Sequence, residues 1–380
     1  RVGGIESRVI DERVPLSHGI LGQETTGPGG FAMGLRSIPV LLDYVRLMAE
    51  VCPQAWLINF ANPAGMMAEA VNRVLGWEKC VGICDAPTGM QRVSAAVIGL
   101  LNSTTVHPDE VHLDYFGLNH LGWIRSALYQ GNDYLPQLIE LIRDAGGMPG
   151  LPFDTDLIAD LGMIPNEYLY YYYYRAQAVE NMTKPGKCRA EDIAALNIDL
   201  FADLHRLKDE HNLDAMMARY YGYLNRRGET YMARETGRSH ETGELAPVVA
   251  QALAGEGYAG VALDVIEALS GARPKAMILN VPNQGAIHGM EDDEVVEILT
   301  LVQRGRIQPL AVGEIPGHPL ALMKQVKEYE QLTIAAALEG SYQKALLALT
   351  IHPLVLDRIK ARQILDGYIE QHGSYFPKLS

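Results

Sequence analysis

The sequence predicts an α/β protein: a parallel sheet with helices on its faces, followed by a mixed α+β, helix-rich portion. Three observations predict it. Between residues 36 and 116, short apolar runs alternate with stretches of helical spacing. The links between them are short, which implies right-handed crossovers between parallel strands. Beyond residue 120 the alternation gives way to a mixed pattern.

Taken in order, residues 36–51 read as a buried helix that ends before Cys52-Pro53, where proline cannot continue it. Trp56 to Phe60 suits a buried strand, residues 64–75 return to helical spacing, and Gly76 is a stop signal. Lys79 to Cys84 reads as a second strand, 88–100 as a second helix and 111–116 as a third strand, parallel to the first two. Further on come a strand-like stretch at 123–130 and a helix near 133–145. The run from Tyr168 to Tyr174 reads as an amphipathic helix packing its rings on a neighbour, 236–247 as a polar loop, and 317–372 as two or three long helices punctuated by Gly340 and Pro353. The expected division is 1–116 and 117–380.

Three hundred and eighty residues exceed what one core usually holds, so two domains or one large one are expected. Apolar residues at 48% and charged ones at 21% describe a folded chain. Thirty-two Lys plus Arg against 46 Asp plus Glu give a formal charge of −14, which argues against nucleic acid or an anionic membrane as main partner. A local basic pocket for a phosphorylated small molecule remains compatible with it. Four scattered cysteines make no disulfide framework. No run of about 18 apolar residues and no signal-peptide pattern is present, so a cytoplasmic protein is expected.

The strand ends carry the chemistry. The first strand runs into Asn62-Pro63-Ala64-Gly65, the second into Cys84-Asp85-Ala86-Pro87, and the third into Gly117-Leu118-Asn119-His120. Open α/β sheets bind ligands at the carboxyl edge, so these three clusters should converge on one crevice. A Cys84 thiolate with a His120 imidazole suits a divalent transition metal with positions left open for substrate and water. The same pair also reads as a buried thiol and a satisfied histidine. Gln23 to Gly30 is a glycine-dense loop before a helix, either an anion cradle or an ordinary turn. Arg1 and Arg8 read as surface ion pairs or as phosphate ligands. Tyr231 follows the basic turn Arg226-Arg227-Gly228 and either packs or acts as a base, where nearby positive charge lowers its pKa. No G-x-G-x-x-G occurs, so the residues carry no dinucleotide fingerprint.

In their order along the chain, Arg1 to Gly4 with Arg8 and Asp11-Glu12, Gly22 to Gly30, Asn59 to Gly65, Gly82 to Pro87, Gly117 to His120, Asn280 to Ile287 and Ala311-Val312-Gly313 resemble glycoside hydrolase family 4. These are the NAD- and metal-dependent glycosidases. The resemblance implies that 1–116 is the remainder of a Rossmann-like NAD-binding domain, whose glycine-rich loop lies in a segment preceding Arg1. It implies a substrate- and metal-binding, oligomerising domain over 117–380, in the lactate/malate dehydrogenase architecture. It further implies NAD, Mn²⁺ or another divalent metal, a phosphorylated glycoside as substrate, and a homodimer or homotetramer.

Carried onto this chain, the family pattern makes Cys84 and His120 the metal ligands. Arg8 becomes the contact for a 6-phosphate, Asn62 and Asn119 the sugar contacts, Tyr231 the base and Asp85 a general acid. Asp85 is typical of 6-phospho-α-glucosidases, whereas Ile164 to Tyr171 and Asn280 to Gly285 are more like 6-phospho-β-glucosidases, the favoured reading. The alternatives are the α-glucosidase, a 2-hydroxy-acid dehydrogenase and a non-catalytic sugar-phosphate sensor.

Overall fold

The computed structural model describes residues 2–229, 231–237, 245–254 and 257–380. Helix α1 (Gly4–Ser17) is followed by α2 (Pro28–Val51), which starts at Pro28 rather than at 36 because proline's fixed φ suits a first helical turn. Strand β1 (Leu57–Asn59), α3 (Ala64–Leu75), β2 (Cys80–Gly82) and α4 (Ala86–Leu101) then follow the predicted alternation. Gly76 caps α3 in the left-handed conformation, as its stop signal requires. β1 and β2 are parallel, with Leu57 opposite Cys80 and Asn59 opposite Gly82.

The third predicted strand lies in the same sheet but does not pair with them. It forms as β3 (His112–Leu118), followed by β4 (Leu121–Tyr129), β5 (Asn132–Asp133), β6 (Ile164–Pro165), β7 (Lys275–Pro282), β8 (Val295–Gln303) and β9 (Arg306–Pro309). The sheet order is β1-β2-β7-β8-β3-β4-β5, with β6 on β4 and β9 on β8. β3 is antiparallel to both β4 and β8. The reason is local: only two residues separate β3 from β4, which forces a hairpin, while a parallel neighbour would need a long crossover. The expected boundary at 116/117 falls inside β3.

The polar strand ends nevertheless meet. β2 and β7 pair only through Gly82 and Asn280, near the carboxyl end of each, so two sub-sheets overlap by a single residue pair. A continuous row crosses the sheet there: Asn59, Gly82, Asn280, Glu297, Gly117 and Gly122. The backbone N–H of Asn166 extends it by donating to the Gly122 carbonyl at 2.8 Å. Gly122 is required for close approach, since a Cβ there would lie 2.2 Å from the Tyr115 hydroxyl.

The tyrosine run is a 3-10 turn (Glu167–Leu169) and one short helical turn (Tyr170–Tyr173), with Tyr168, Tyr170 and Tyr171 buried. The chain ends in three helices, Gly317–Glu339, Tyr342–Ile351 and Arg358–His372, with Gly340 closing the first. Most of the predicted loop at 236–247 lies outside the described residues, as does Arg1. Among the described residues no helix is long and apolar enough to cross a membrane.

One buried cation ties the parts together. Lys327 Nζ, on helix Gly317–Glu339, donates to Glu69 Oε2 of α3 at 2.7 Å, to Glu330 Oε2 at 2.6 Å and to the Val295 carbonyl of β8 at 2.8 Å. Glu69 Oε2 also accepts the Val295 N–H at 2.9 Å. Lys327→Met leaves two carboxylates buried without their cation. It should cost about 3–5 kcal/mol of unfolding free energy, read from urea denaturation at neutral pH. A loss within experimental error would show that the hub contributes nothing net.

Candidate active site

With Leu118 opposite Leu121, the two-residue turn between β3 and β4 consists of Asn119 and His120. His120 has φ 62, in the left-handed region. A non-glycine residue gives up about 1–2 kcal/mol there. Its side chain is buried and its ring stacks on Tyr168 with centroids 3.9 Å apart. Burial pushes its pKa down to about 3, so the imidazole is neutral. Nε2 is buried with no hydrogen-bond partner among the described residues. A neutral imidazole with a free ring nitrogen is the form that ligates metals.

Cys84 stands just past β2 and is 2% exposed. Burial raises its thiol pKa well above the usual value, and the carboxylates of Glu297, Asp85 and Glu167 add to this against a hydrogen bond from the Ala86 backbone. Asp85 sits at the N-terminus of α4 and is also raised, by burial first, with its own backbone N–H and the Tyr258 hydroxyl opposing. Asn119 Oδ1 accepts the Ala64 N–H at 3.0 Å, binding the turn to the start of α3, two residues past Asn62. Asn119 Nδ2 donates to Glu297 Oε1 at 3.3 Å.

Tyr231 meets the same group from the other side. Its ring is edge-on to Tyr168 at 6.2 Å, and the Arg189 guanidinium lies 5.2 Å from its centroid. Burial, then Tyr168 and Glu167, hold the phenol well above its ordinary pKa, so it is protonated as folded.

Cys84, Asp85, Asn119, His120 and Tyr231 therefore share one neighbourhood, with Tyr168 between them. Arg8 is placed differently. Buried in α1, it donates from Nε to Glu12 at 2.9 Å and pairs through Nη1 with Glu24 at 2.7 Å. The glycine-rich loop is closed on itself, because Gln23 Oε1 accepts the N–H groups of Thr25 (2.7 Å) and Thr26 (2.9 Å). Those two amides are spent internally, and Gly29 serves to let the helix pass the Gln23 carbonyl, 1.9 Å from where a Cβ would be.

Sequence reasoning missed Glu297, Glu167, Tyr258 and Arg189. Glu297 carried a signal, a single acid in the apolar strand VVEILTLVQ, where a buried charge needs partners. Burial raises its carboxyl to about 7 against hydrogen bonds from Tyr115, Asn280 and Asn119. Glu167 is raised to about 7 by burial, its own backbone N–H opposing and Asp85 and Glu297 adding; nothing in its local sequence marked it. Among the described residues no three His, Cys, Asp or Glu side chains form a metal-holding group. Cys84 and His120 are each buried at a strand end, and a thiolate and a neutral imidazole are donor types that suit a divalent transition metal.

A model of the "Family 4 glycosyl hydrolase" matches residues 1–100, and one of the "Family 4 glycosyl hydrolase C-terminal domain" matches residues 115–355. The "Probable 6-phospho-beta-glucosidase" of Bacillus subtilis is 32% identical over all of this chain and 78% of its own length. The 6-phospho-beta glucosidase of Thermotoga maritima, solved with manganese, NAD+ and glucose-6-phosphate, superposes with a TM-score of 0.74 at 29% identity, over 99% of this chain and 80% of that one. A 6-phospho-alpha-glucosidase from gut microorganisms, in complex with NAD and Mn2+, gives a TM-score of 0.77 at 30% identity, over 100% of this chain and 81% of that one.

The burial of the thiols makes a direct prediction. In metal-free protein at pH 8, iodoacetamide should label exposed Cys52 first, while Cys84 and also Cys80 and Cys188, both raised to about 12 with burial the largest cause, react only in denaturant. Peptide mass spectrometry reads the order. Labelling of Cys84 at the rate of Cys52 would mean that the strand end is open.

Proposed function

This chain belongs to glycoside hydrolase family 4, and from that membership and the site geometry we propose that it hydrolyses 6-phospho-β-glucosides, such as cellobiose 6-phosphate, with NAD and a divalent cation, Mn²⁺ in the first instance. The observation that carries the reading is the buried pair of Cys84 and His120. A neutral imidazole with an unpartnered Nε2 and a thiol held among the fields of Glu297, Asp85 and Glu167 make a site short of positive charge. Membership displaces the 2-hydroxy-acid dehydrogenase reading.

When bound, the nicotinamide and the cation supply reversible oxidation at C3 of the sugar and charge stabilisation for loss of the C2 proton. The chain's own residues do the rest. Cys84 and His120 hold the cation, and ligation requires the thiol to surrender its proton. Tyr231 is the base for the C2 proton; its phenol is held protonated by burial as folded, so this role needs positive charge beside it, of which the Arg189 guanidinium 5.2 Å from its ring centroid supplies part. Asp85, whose carboxyl burial pushes above its ordinary pKa, is the acid for the departing glycosidic oxygen. Asn62 and Asn119 orient sugar hydroxyls. Arg8 reaches a 6-phosphate by exchanging Glu24 for it, since both carboxylates beside it already take its charge.

The choice of β over α rests on the Ile164–Tyr171 and Asn280–Gly285 segments. Assembly as a homodimer or homotetramer belongs to the same proposal. Leu213, Met217, Tyr221 and Leu224, exposed at helical spacing on helix Leu213–Glu229, offer an apolar face for it.

The test compares nitrophenol release from the α- and β-glucoside 6-phosphates by the natural full-length protein under reducing conditions, with and without NAD+ and Mn²⁺. Release from the β substrate alone, lost when either cofactor is omitted, is the expected result, and Asp85→Asn should then slow an unactivated disaccharide phosphate more than the nitrophenyl substrate. Release from the α substrate alone overturns the β reading and makes Asp85 the acid for that anomer. Turnover indifferent to both cofactors overturns the mechanism, and binding without turnover on any phosphorylated glucoside supports the sensor.

A further inference from the structure

Glu297 occupies the centre of the residue row that joins the two sub-sheets, with Asn280 on one side and Gly117 on the other. It is 1% exposed, and every polar group that meets its carboxylate is a donor. Oε2 accepts the Tyr115 hydroxyl at 2.8 Å, and Oε1 accepts Asn280 Nδ2 at 2.9 Å and Asn119 Nδ2 at 3.3 Å. Three donors converge on one buried carboxylate, and of these groups only the Tyr115 hydroxyl can turn to accept from a donor at position 297. The surrounding sequence is cut to fit it. Gly122, opposite Gly117, clears the space through which the Tyr115 hydroxyl reaches the carboxylate.

The consequence lies one bond further on. The Asn119 amide that Glu297 fixes presents its Oδ1 to the Ala64 N–H, so the same side chain holds the Asn62–Ala64 segment. Its backbone leads directly into His120, whose left-handed φ is unfavourable for a histidine and needs a neighbouring constraint to persist.

We propose that Glu297 is a positioning residue: through Asn119 it holds the strained His120 turn and the Asn62 loop in one geometry, so that metal ligand and sugar contacts stand ready together. This rests on the reading of Cys84 and His120 as metal ligands. Glu297 touches neither the cation nor the sugar in this role. It acts as an outer carboxylate that orients a first ligand through a hydrogen-bonded intermediary.

The experiment titrates Mn²⁺ into the full-length protein with NAD+ present, following free Mn²⁺ by electron paramagnetic resonance, alongside Tm. Glu297→Gln removes the carboxylate charge and replaces one of its acceptor oxygens by an amide donor, and should weaken Mn²⁺ binding by about 10- to 100-fold. Asn119→Ala, at a partly exposed position, is the second variant should the first fail to fold. It should weaken binding by a similar factor, and the double variant should be no worse than the weaker single one. A fall in Tm with Mn²⁺ affinity unchanged in Asn119→Ala means a merely structural network and overturns the proposal, as does Mn²⁺ binding that loses in full additive steps. Failure of the unsubstituted protein to bind Mn²⁺ overturns the metal reading itself, a result distinct from the other two.

Discussion

The buried ammonium of Lys327 is the interaction on which the geometry depends. Burial alone pulls its pKa down, yet the carboxylates of Glu330 and Glu69 more than reverse this and hold it protonated, above the ordinary lysine value. The cost of taking these charges out of water is met only because each finds a partner within hydrogen-bond distance. Both backbone groups of Val295 are engaged as well, the N–H by Glu69 and the carbonyl by Lys327. Since Val295 opens β8, this pins the strand at its first residue relative to α3. A slip of one position would turn Glu297 to the other face of the sheet. The site's central carboxylate is therefore placed by a lysine that never approaches it in sequence.

A second buried network performs the same service at the other end of the chain. Arg36 of α2 makes a two-pronged pair with Asp11 of α1 at 2.6 and 2.7 Å, and His372 Nε2 lies 3.0 Å from each partner. The Tyr368 hydroxyl donates to the Asp11 carbonyl at 2.8 Å. The last long helix is thereby fastened across α1 and α2, and α1 is the helix that carries Arg8 and Glu12. Glu12 reaches onward through Oε2 to the Ala190 N–H, at the start of the helix whose Arg189 lies against Tyr231.

The electrostatics of the site have one sign. Glu297, Glu167, Asp85 and the Cys84 thiol all have raised pKa values, burial being the largest cause for each, and each of the carboxyls disfavours ionisation of the thiol. A divalent cation held by Cys84 and His120, as proposed, would invert this logic, since it favours the ionised form of every group around it.

Much of this was legible in the sequence, for identifiable reasons. Gly76 as a helix stop, the alternation from α2 to α4 and the three polar clusters were set by local backbone preferences and apolar periodicity, which neighbouring residues alone decide. The order of seven motifs carried the family for the same reason, because short segments keep their identity without reference to their surroundings. The tyrosine run shows where such reading stops. Its composition announced packing, but that Tyr168 lies flat on His120, Tyr171 bonds Glu235 and Tyr173 accepts from Trp123 depends on which helix turn meets which neighbour. The direction of β3 followed from its two-residue link to β4, which forces a hairpin, rather than from the apolar alternation of the preceding segments. The pairing of Arg8 with Glu24 and the bonds of Tyr115 and Asn119 to Glu297 required residues well separated in sequence to be brought within hydrogen-bond distance, whereas the closure of the glycine loop by Gln23 is local. The sequence by itself determined most of the elements and the family. Which residues face one another was decided only by the tertiary structure, because β2 and β7 meet at a single residue pair, Gly82 and Asn280, and buried charges must find partners wherever the fold supplies them.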